Sequence, residues 1–249
     1  MMGGMGRTFD GGYAEYACVP VSQVVPFRSD LEWSVLGAVP EMLQTANGSL
    51  AAIDVPDGGS LLVRGGTSSV GLAAAVLAKQ RGVTVLATTR SAARAGALHD
   101  VGVDHVLVDD GDVADQVRAV LPEGVDGALE LVGAPTLRDT LRAVRPHGTA
   151  CFTGMLSNQW VLPDFYPIDV IPNAVRLTAY AGDASDLPAV VLQGFLDAVA
   201  AGTAVVPVGR VYALDEIAAA HEAMEDGTVV GKPGRRPVTR VRRSAGSPG

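Results

Sequence analysis

The sequence predicts an α/β fold: a doubly wound parallel sheet of six strands, with short β runs ahead of it. Three observations carry this expectation. Between Ser60 and Ala201, short apolar runs of strand length alternate with helical patterns, which is how a parallel sheet with crossover helices reads. The run Leu61-Leu62-Val63-Arg64 breaks at Gly65-Gly66-Thr67-Ser68-Ser69-Val70-Gly71 and then opens a smooth apolar helix pattern, Leu72 to Ala78. That is a strand, a tight turn and a helix N-terminus. The composition is 48% hydrophobic but only 5% aromatic, so the core must be built mainly from Ala, Val and Leu.

Taken in order, the first segment, 1–33, reads as β structure over 1–28, with Gly11 to Pro20 and Ser22 to Pro26 as two short runs. Two strands do not make a stable sheet alone, so they need other partners. Residues 34–52 are helical, with Leu36, Val39, Leu43 and Leu50 roughly on one face. Asp54-Val55-Pro56-Asp57-Gly58-Gly59 is a turn cluster. Strands follow at 60–64, 83–88, 104–108, 126–131, 147–153 and 175–180, with helices near 69–80, 91–100, 112–120, 135–144 and 185–201. Residues 34–202 therefore form the main α/β domain. Residues 203–231 form a return segment, with a strand pair or bent strand in 204–212 and an amphipathic helix from Leu214 to Met224. From Lys232 the chain holds six basic residues, no acid, and several Pro and Gly. Disorder is the default expectation for 232–249.

Ligands in such sheets bind outside the carboxyl ends of the strands, where strand order reverses. The first helical N–H groups are unpaired, and their partial positive charge favours a phosphate. Gly66-x-Ser68-x-x-Gly71 matches the dinucleotide fingerprint G-x-G-x-x-G except at the middle glycine. By itself this motif weighs about evenly against an ordinary βα turn. A phosphate-binding P-loop is excluded because Leu72, not Lys, follows Gly71. A nucleophile elbow, G-x-S-x-G, fits as far as Ser68 but ends at Val70, whose branched Cβ would crowd the turn. A serine hydrolase is therefore the weak rival.

The net charge of −8 argues against a nucleic-acid partner. No apolar run reaches the length of a membrane span, and the first residues lack the basic and apolar regions of a signal peptide. A cytoplasmic protein without a membrane partner is expected. Cys18 and Cys151 lie far apart, and the four histidines are scattered. Neither cysteine has a neighbour at zinc-ligand spacing.

Several stretches together resemble the medium-chain dehydrogenase/reductase superfamily, in its zinc-free quinone oxidoreductase branch. They are Gly11-Gly12-Tyr13-Ala14-Glu15-Tyr16, Arg64 to Ala73, Gly102-Val103-Asp104-His105-Val106, Val125 to Gly133, Arg145-Pro146-His147-Gly148-Thr149 and Ala219 to Glu225. The resemblance runs from about Gly11 to Lys232. It implies a Rossmann domain carrying NADPH and hydride transfer to a quinone, an enone or another activated alkene or carbonyl, without zinc. It implies that Ser68, Ser69 and Val70 present backbone groups to the pyrophosphate within the turn Gly65, Gly66, Thr67 to Gly71. Thr45 would sit near the nicotinamide end. Leu131, Val132, Phe152, Thr153 and Gly154 would line the nicotinamide ribose and ring, although for the apolar ones core packing serves as well.

In the same family two sheet edges join, so a homodimer through the 175–180 edge strand is implied. The family's longer barrel-like catalytic domain is represented here only by 1–28, and its usual tyrosine near the nicotinamide has no visible counterpart. Weak turnover, or a cofactor-binding remnant with none, is the corresponding expectation.

The end of the second strand sets the cofactor. An NAD site needs an acid there, about 20 residues past the glycine motif, for the ribose 2′-OH. Here Thr89 stands at that position, followed by Arg90 and Ser91, with Arg94 about one turn on. An arginine fork without a neighbouring carboxylate suits the 2′-phosphate of NADPH, and Ser91 is expected to cap the next helix.

Overall fold

The computed structural model describes residues 5–6, 9–182, 186–226 and 232–235. A six-stranded sheet organises them, with strands β1 Ser60–Arg64, β2 Thr84–Thr89, β3 His105–Val108, β4 Val125–Glu130, β5 Val144–Phe152 and β6 Arg176–Ala179. The spatial order is β3-β2-β1-β4-β5-β6, and every pair is parallel. Strand order therefore reverses between β1 and β4, where Arg64 and Glu130 stand in register.

The helices are α1 Trp33–Ile53, α2 Ser69–Gln80, α3 Ala95–His99, α4 Val113–Val120, α5 Leu137–Ala143, α6 Pro167–Val170, α7 Ala189–Ala200 and α8 Ile217–Glu225. Both faces of the sheet are apolar, as a parallel sheet requires. Leu61, Val63, Val85, Ala87, Leu129 and Cys151 point to the face covered by α1, α2 and α7. Leu62, Leu86, Ala128 and Ala150 point to the face covered by α4 and α5. Each strand divides its residues between two cores with period two. Among the described residues no helix is long and apolar enough to cross a membrane.

At the amino ends of β1 and β4, Asp126 fastens the sheet. Its carboxylate accepts hydrogen bonds from the Ser60 amide (2.8 Å), the Ser60 hydroxyl (2.7 Å) and Arg145 Nε (2.7 Å). Partial burial opposes its charge, but the Ser60 and Arg145 bonds prevail and hold its pKa below the ordinary carboxylate value. A depressed folded-state pKa gives stability that is present above the unfolded value, about 3.9, and lost as pH falls through the folded one. Asp126→Asn should thus be less stable than wild type at pH 7 by urea unfolding. The gap should close as pH falls below about 4.

Four sequence expectations are corrected. Residues 11–20 and 22–26 form no strands. They run as irregular chain with one 3₁₀ turn, Val21–Gln23, and the bridge Met5–Phe9 precedes them. Without neighbouring strands their backbone groups have no ladder to join. The helix expected over 91–100 divides into a 3₁₀ turn, Ala92–Arg94, and the five-residue α3. Residues 204–212 yield one strand, β7 Val208–Tyr212, and Leu214–Glu216 is a 3₁₀ turn leading into α8. Lys232–Arg235, expected in a disordered tail, forms β8 in parallel with β7. Pro233 is tolerated there because a two-stranded sheet has only edges. The rest of the tail, 236–249, lies outside the described residues.

Candidate cofactor cleft

The turn after β1 is built by backbone geometry and by β2. Gly65 has φ +83°, which glycine adopts without penalty. Its N–H donates to the Thr88 hydroxyl (2.9 Å), and the Gly66 N–H donates to the Thr88 carbonyl (3.0 Å). Ser68 is the N-cap of α2, its Oγ accepting from the Gly71 amide at 3.0 Å. The Ser68 amide is itself bonded to the Gly65 carbonyl (3.1 Å). Among the described residues this leaves the amides of Thr67, Ser69 and Val70 without a partner at the helix N-terminus. Ser69 and Val70 thus keep the free backbone groups expected of them, and Thr67 joins them. The Ser68 amide is bonded within the turn, and its hydroxyl oxygen accepts one bond there.

Gly71 is where the helix meets the turn. A Cβ there would stand 2.6 Å from the Gly66 carbonyl oxygen and 2.7 Å from that of Gly65. Both are backbone atoms, so Gly71→Ala must push α2 away from β1. The expected cost is about 1–3 kcal/mol, as for overpacking, read as a lower midpoint in urea unfolding.

A cleft of about 310 Å³ opens over this turn, lined by Gly65, Thr67, Ser68, Thr88, Thr89, Arg90, Arg94, Asp109, Val132, Leu156 and Ser157. Seven of the expected site residues meet here: Gly65, Thr67, Ser68, Thr89, Arg90, Arg94 and Val132. Arg90 and Arg94 are exposed, and among the described residues neither has an ion-pair partner. Ser91 caps the 3₁₀ turn between them, accepting from the Ala93 amide at 3.3 Å. Thr89 is 2% exposed, and its hydroxyl donates to the Ser91 carbonyl (3.0 Å). It thereby holds the strand end where an acid would otherwise stand.

The remaining expected residues lie outside the cleft lining. Gly66 and Gly71 are packing positions beneath it. Leu131 is 3% exposed in the core, and Phe152 packs on the opposite core. Gly154 crosses the Leu131 backbone so closely that a Cβ would come 2.5 Å from the Leu131 carbonyl oxygen. The Thr153 hydroxyl lies 2.9 Å from that of Ser49 on α1 and 3.4 Å from Cys151 Sγ. Burial pushes the Cys151 thiol pKa up, so it is a poor nucleophile. Thr45, half-buried on α1, does not line the cleft.

Three lining residues, Thr88, Asp109 and Ser157, escaped sequence reasoning, while Leu156 reads in the chain as part of an apolar pocket wall or equally well of a packed loop. Thr88 was legible only as the end of an apolar run; its role as turn holder needs the β1–β2 pairing. Asp109 follows β3 and stood out only as an acid at a strand's carboxyl end. Leu156 and Ser157 carry no motif. They reach the cleft because their amides bond the Leu131 and Val132 carbonyls (3.1 and 2.9 Å).

Beneath the cleft lies a charged network. Arg64, the last residue of β1, is fully buried. Its guanidinium binds Asp109 through Nε and a terminal nitrogen (2.9 and 2.8 Å) and Asp139 on α5 (2.5 Å). Burial works against its charge, but the Asp109 and Asp139 bonds prevail and raise its pKa. Asp139 also accepts the Val113 amide (2.9 Å) at the start of α4. Glu130, fully buried at the end of β4, accepts the Val132 and Gly133 amides on one oxygen (2.7 and 2.9 Å) and the Thr140 hydroxyl on the other. Burial raises the Glu130 pKa against the pull of those bonds and of Arg64.

Fold and cleft together define an α/β dinucleotide-binding domain with a phosphate-seeking turn at its switch point. Residues 69–193 match the family described as zinc-binding dehydrogenase, and the chain belongs to it. It sits in the medium-chain dehydrogenase/reductase superfamily, in the quinone oxidoreductase-like branch. A putative quinone oxidoreductase of Bacillus subtilis, YhfP, is 28% identical over 172 residues, spanning 66% of this chain and 51% of that protein. The crystal structure of AibC superposes with a TM-score of 0.83 at 30% identity, covering 94% of this chain and 65% of the other. A mycobacterial protein, Rv1454c, solved in complex with NADPH, gives 0.75 at 26% identity, covering 88% and 70%. The chain spans about half the length of the first of these relatives.

Among the described residues no three His, Cys, Asp or Glu side chains stand where they could hold a metal ion. Cys18 is exposed, while Cys151 is buried. No metal chemistry is assigned to these residues. Nor is Ser68 equipped as a nucleophile: its hydroxyl caps α2, and among the described residues no histidine or carboxylate bonds it.

Proposed function

We propose that this chain binds NADPH in the cleft over β1 and β2 and serves a reductase acting on a quinone or an activated alkene or carbonyl. One observation carries the reading: the α2 N-terminus, with the amides of Thr67, Ser69 and Val70 free, adjoins a cleft that Thr67 lines together with Arg90 and Arg94, neither of which has an ion-pair partner among the described residues. The free amides of Thr67, Ser69 and Val70 suit a pyrophosphate. Arg90 and Arg94 suit a 2′-phosphate, with Thr89 in place of the acid an NAD site uses. Asp109 does not oppose this, because Arg64 holds its carboxylate in a two-point ion pair. The names of the relatives, quinone oxidoreductases and an NADPH complex among them, support the same assignment. When bound, the nicotinamide supplies the hydride. This chain's residues bind and orient the adenine end, and Val132 and Leu156 wall the turn from water.

Calorimetric titration with NADPH and NADH tests the reading. Preference for NADPH supports it; equal affinity, or no binding of either, removes it. NADPH consumption with a quinone then separates a working reductase from a binding chain without turnover. We further propose a homodimer joined through β6, the sheet's terminal strand. Its outer edge has no partner strand among the described residues, and unpaired edges invite pairing. A monomer mass by light scattering at micromolar concentration overturns the dimer.

A further inference from the structure

We propose that Glu130 is a positioning residue of the cleft, holding the wall that carries Val132 against the pyrophosphate turn. The inference rests on the NADPH reading above. Glu130 ends β4 beside Arg64, which ends β1, so it sits under the switch point without lining the cleft. One of its oxygens takes two successive amides, Val132 and Gly133. The chain can turn there because Gly133 has φ +119°. The turn brings Val132 and Leu131 over Gly65: a Cβ at Gly65 would lie 3.2 Å from Leu131 Cβ and 3.5 Å from Val132 Cγ2. The other oxygen is occupied by Thr140 of α5. All three bonds need an acceptor, which a carboxylate provides on both oxygens. An apolar side chain here would leave the half-buried Val132 amide and the buried Gly133 amide unpaired.

Glutamine keeps the size and can still accept the two amides through its single carbonyl oxygen, but as neutral bonds of about half the strength. It also relieves the burial of a carboxylate in a cluster already holding Asp109 and Asp139. A merely structural role and a positioning role therefore diverge. Glu130→Gln should not lower the thermal midpoint, yet should weaken NADPH binding about tenfold. Adenosine 2′-monophosphate, which has no 5′-phosphate and needs only the Arg90 and Arg94 end, should bind within twofold of wild type. Amide exchange at Val132 and Gly133, measured without cofactor, should quicken about tenfold. Thr140→Val, which removes the donor to the second oxygen and an acceptor of a longer bond from Arg64 (3.3 Å), should shift NADPH affinity in the same direction by less.

Calorimetry on the full chain, with hydrogen exchange, decides it. Unchanged NADPH affinity in Glu130→Gln overturns the proposal. So does equal loss for both ligands, or a loss that tracks a lowered thermal midpoint. If wild type binds neither ligand, the NADPH reading fails instead, and unchanged exchange at the two amides separately refutes the positioning.

Discussion

Arg64→Met is expected to cost about 3–5 kcal/mol, the range for removing one partner of a buried ion pair. That is a large part of the roughly 5–15 kcal/mol that holds a domain folded. The side chain is fully buried and serves Asp109 and Asp139 at once, with Glu130 alongside. Methionine fills much of the same volume but leaves those carboxylates facing one another without a cation. Urea unfolding at neutral pH should show a much lower midpoint. Adding Asp109→Asn should restore part of the loss, because one of the uncompensated charges is then gone. A single variant within 1 kcal/mol of wild type, against the 3–5 expected, would show that the network carries little stability.

Arg90→Ala is expected to weaken NADPH binding by about 10- to 150-fold and leave NADH nearly unchanged. The figure follows from about 1.5–3 kcal/mol for a charge-assisted hydrogen bond, at 1.4 kcal/mol per tenfold. Arg90 lines the cleft with no ion-pair partner among the described residues, so none of these competes for its guanidinium and little structural cost accompanies its loss. Arg94→Ala should act in the same direction by less, since Arg94 lies further along the 3₁₀ turn. Calorimetry with both cofactors on wild type and Arg90→Ala reads the result. An equal loss for NADH and NADPH would mean that Arg90 does not meet the 2′-phosphate.

Much of this molecule was legible in the chain. The bounds of β1 and α2 match their predicted spans, 60–64 and 69–80, because a dense apolar strand, a run of small residues and a capping serine are all local signals. The period-two division of Leu61, Leu62 and Val63 between two cores follows from strand geometry alone. Thr89, Arg90, Ser91 and Arg94 stand out in the chain because the end of the second strand has a fixed chemical duty in such sheets, and the cleft is lined by three of them, Thr89, Arg90 and Arg94. Other features required the packed structure. Arg64 reads in sequence as a charge closing a strand; only the arrival of Asp109 and Asp139, 45 and 75 residues later, makes it a buried hub. Glu130 reads as the end of an apolar run, and its hold on Val132 and Gly133 appears only once the turn closes. Residues 11–26 alternate well enough to read as strands, yet strand formation depends on partners, and among the described residues none lies beside them. Patterns set by one segment's own geometry can be read from that segment, whereas charge compensation and strand pairing are settled by what the rest of the chain brings alongside.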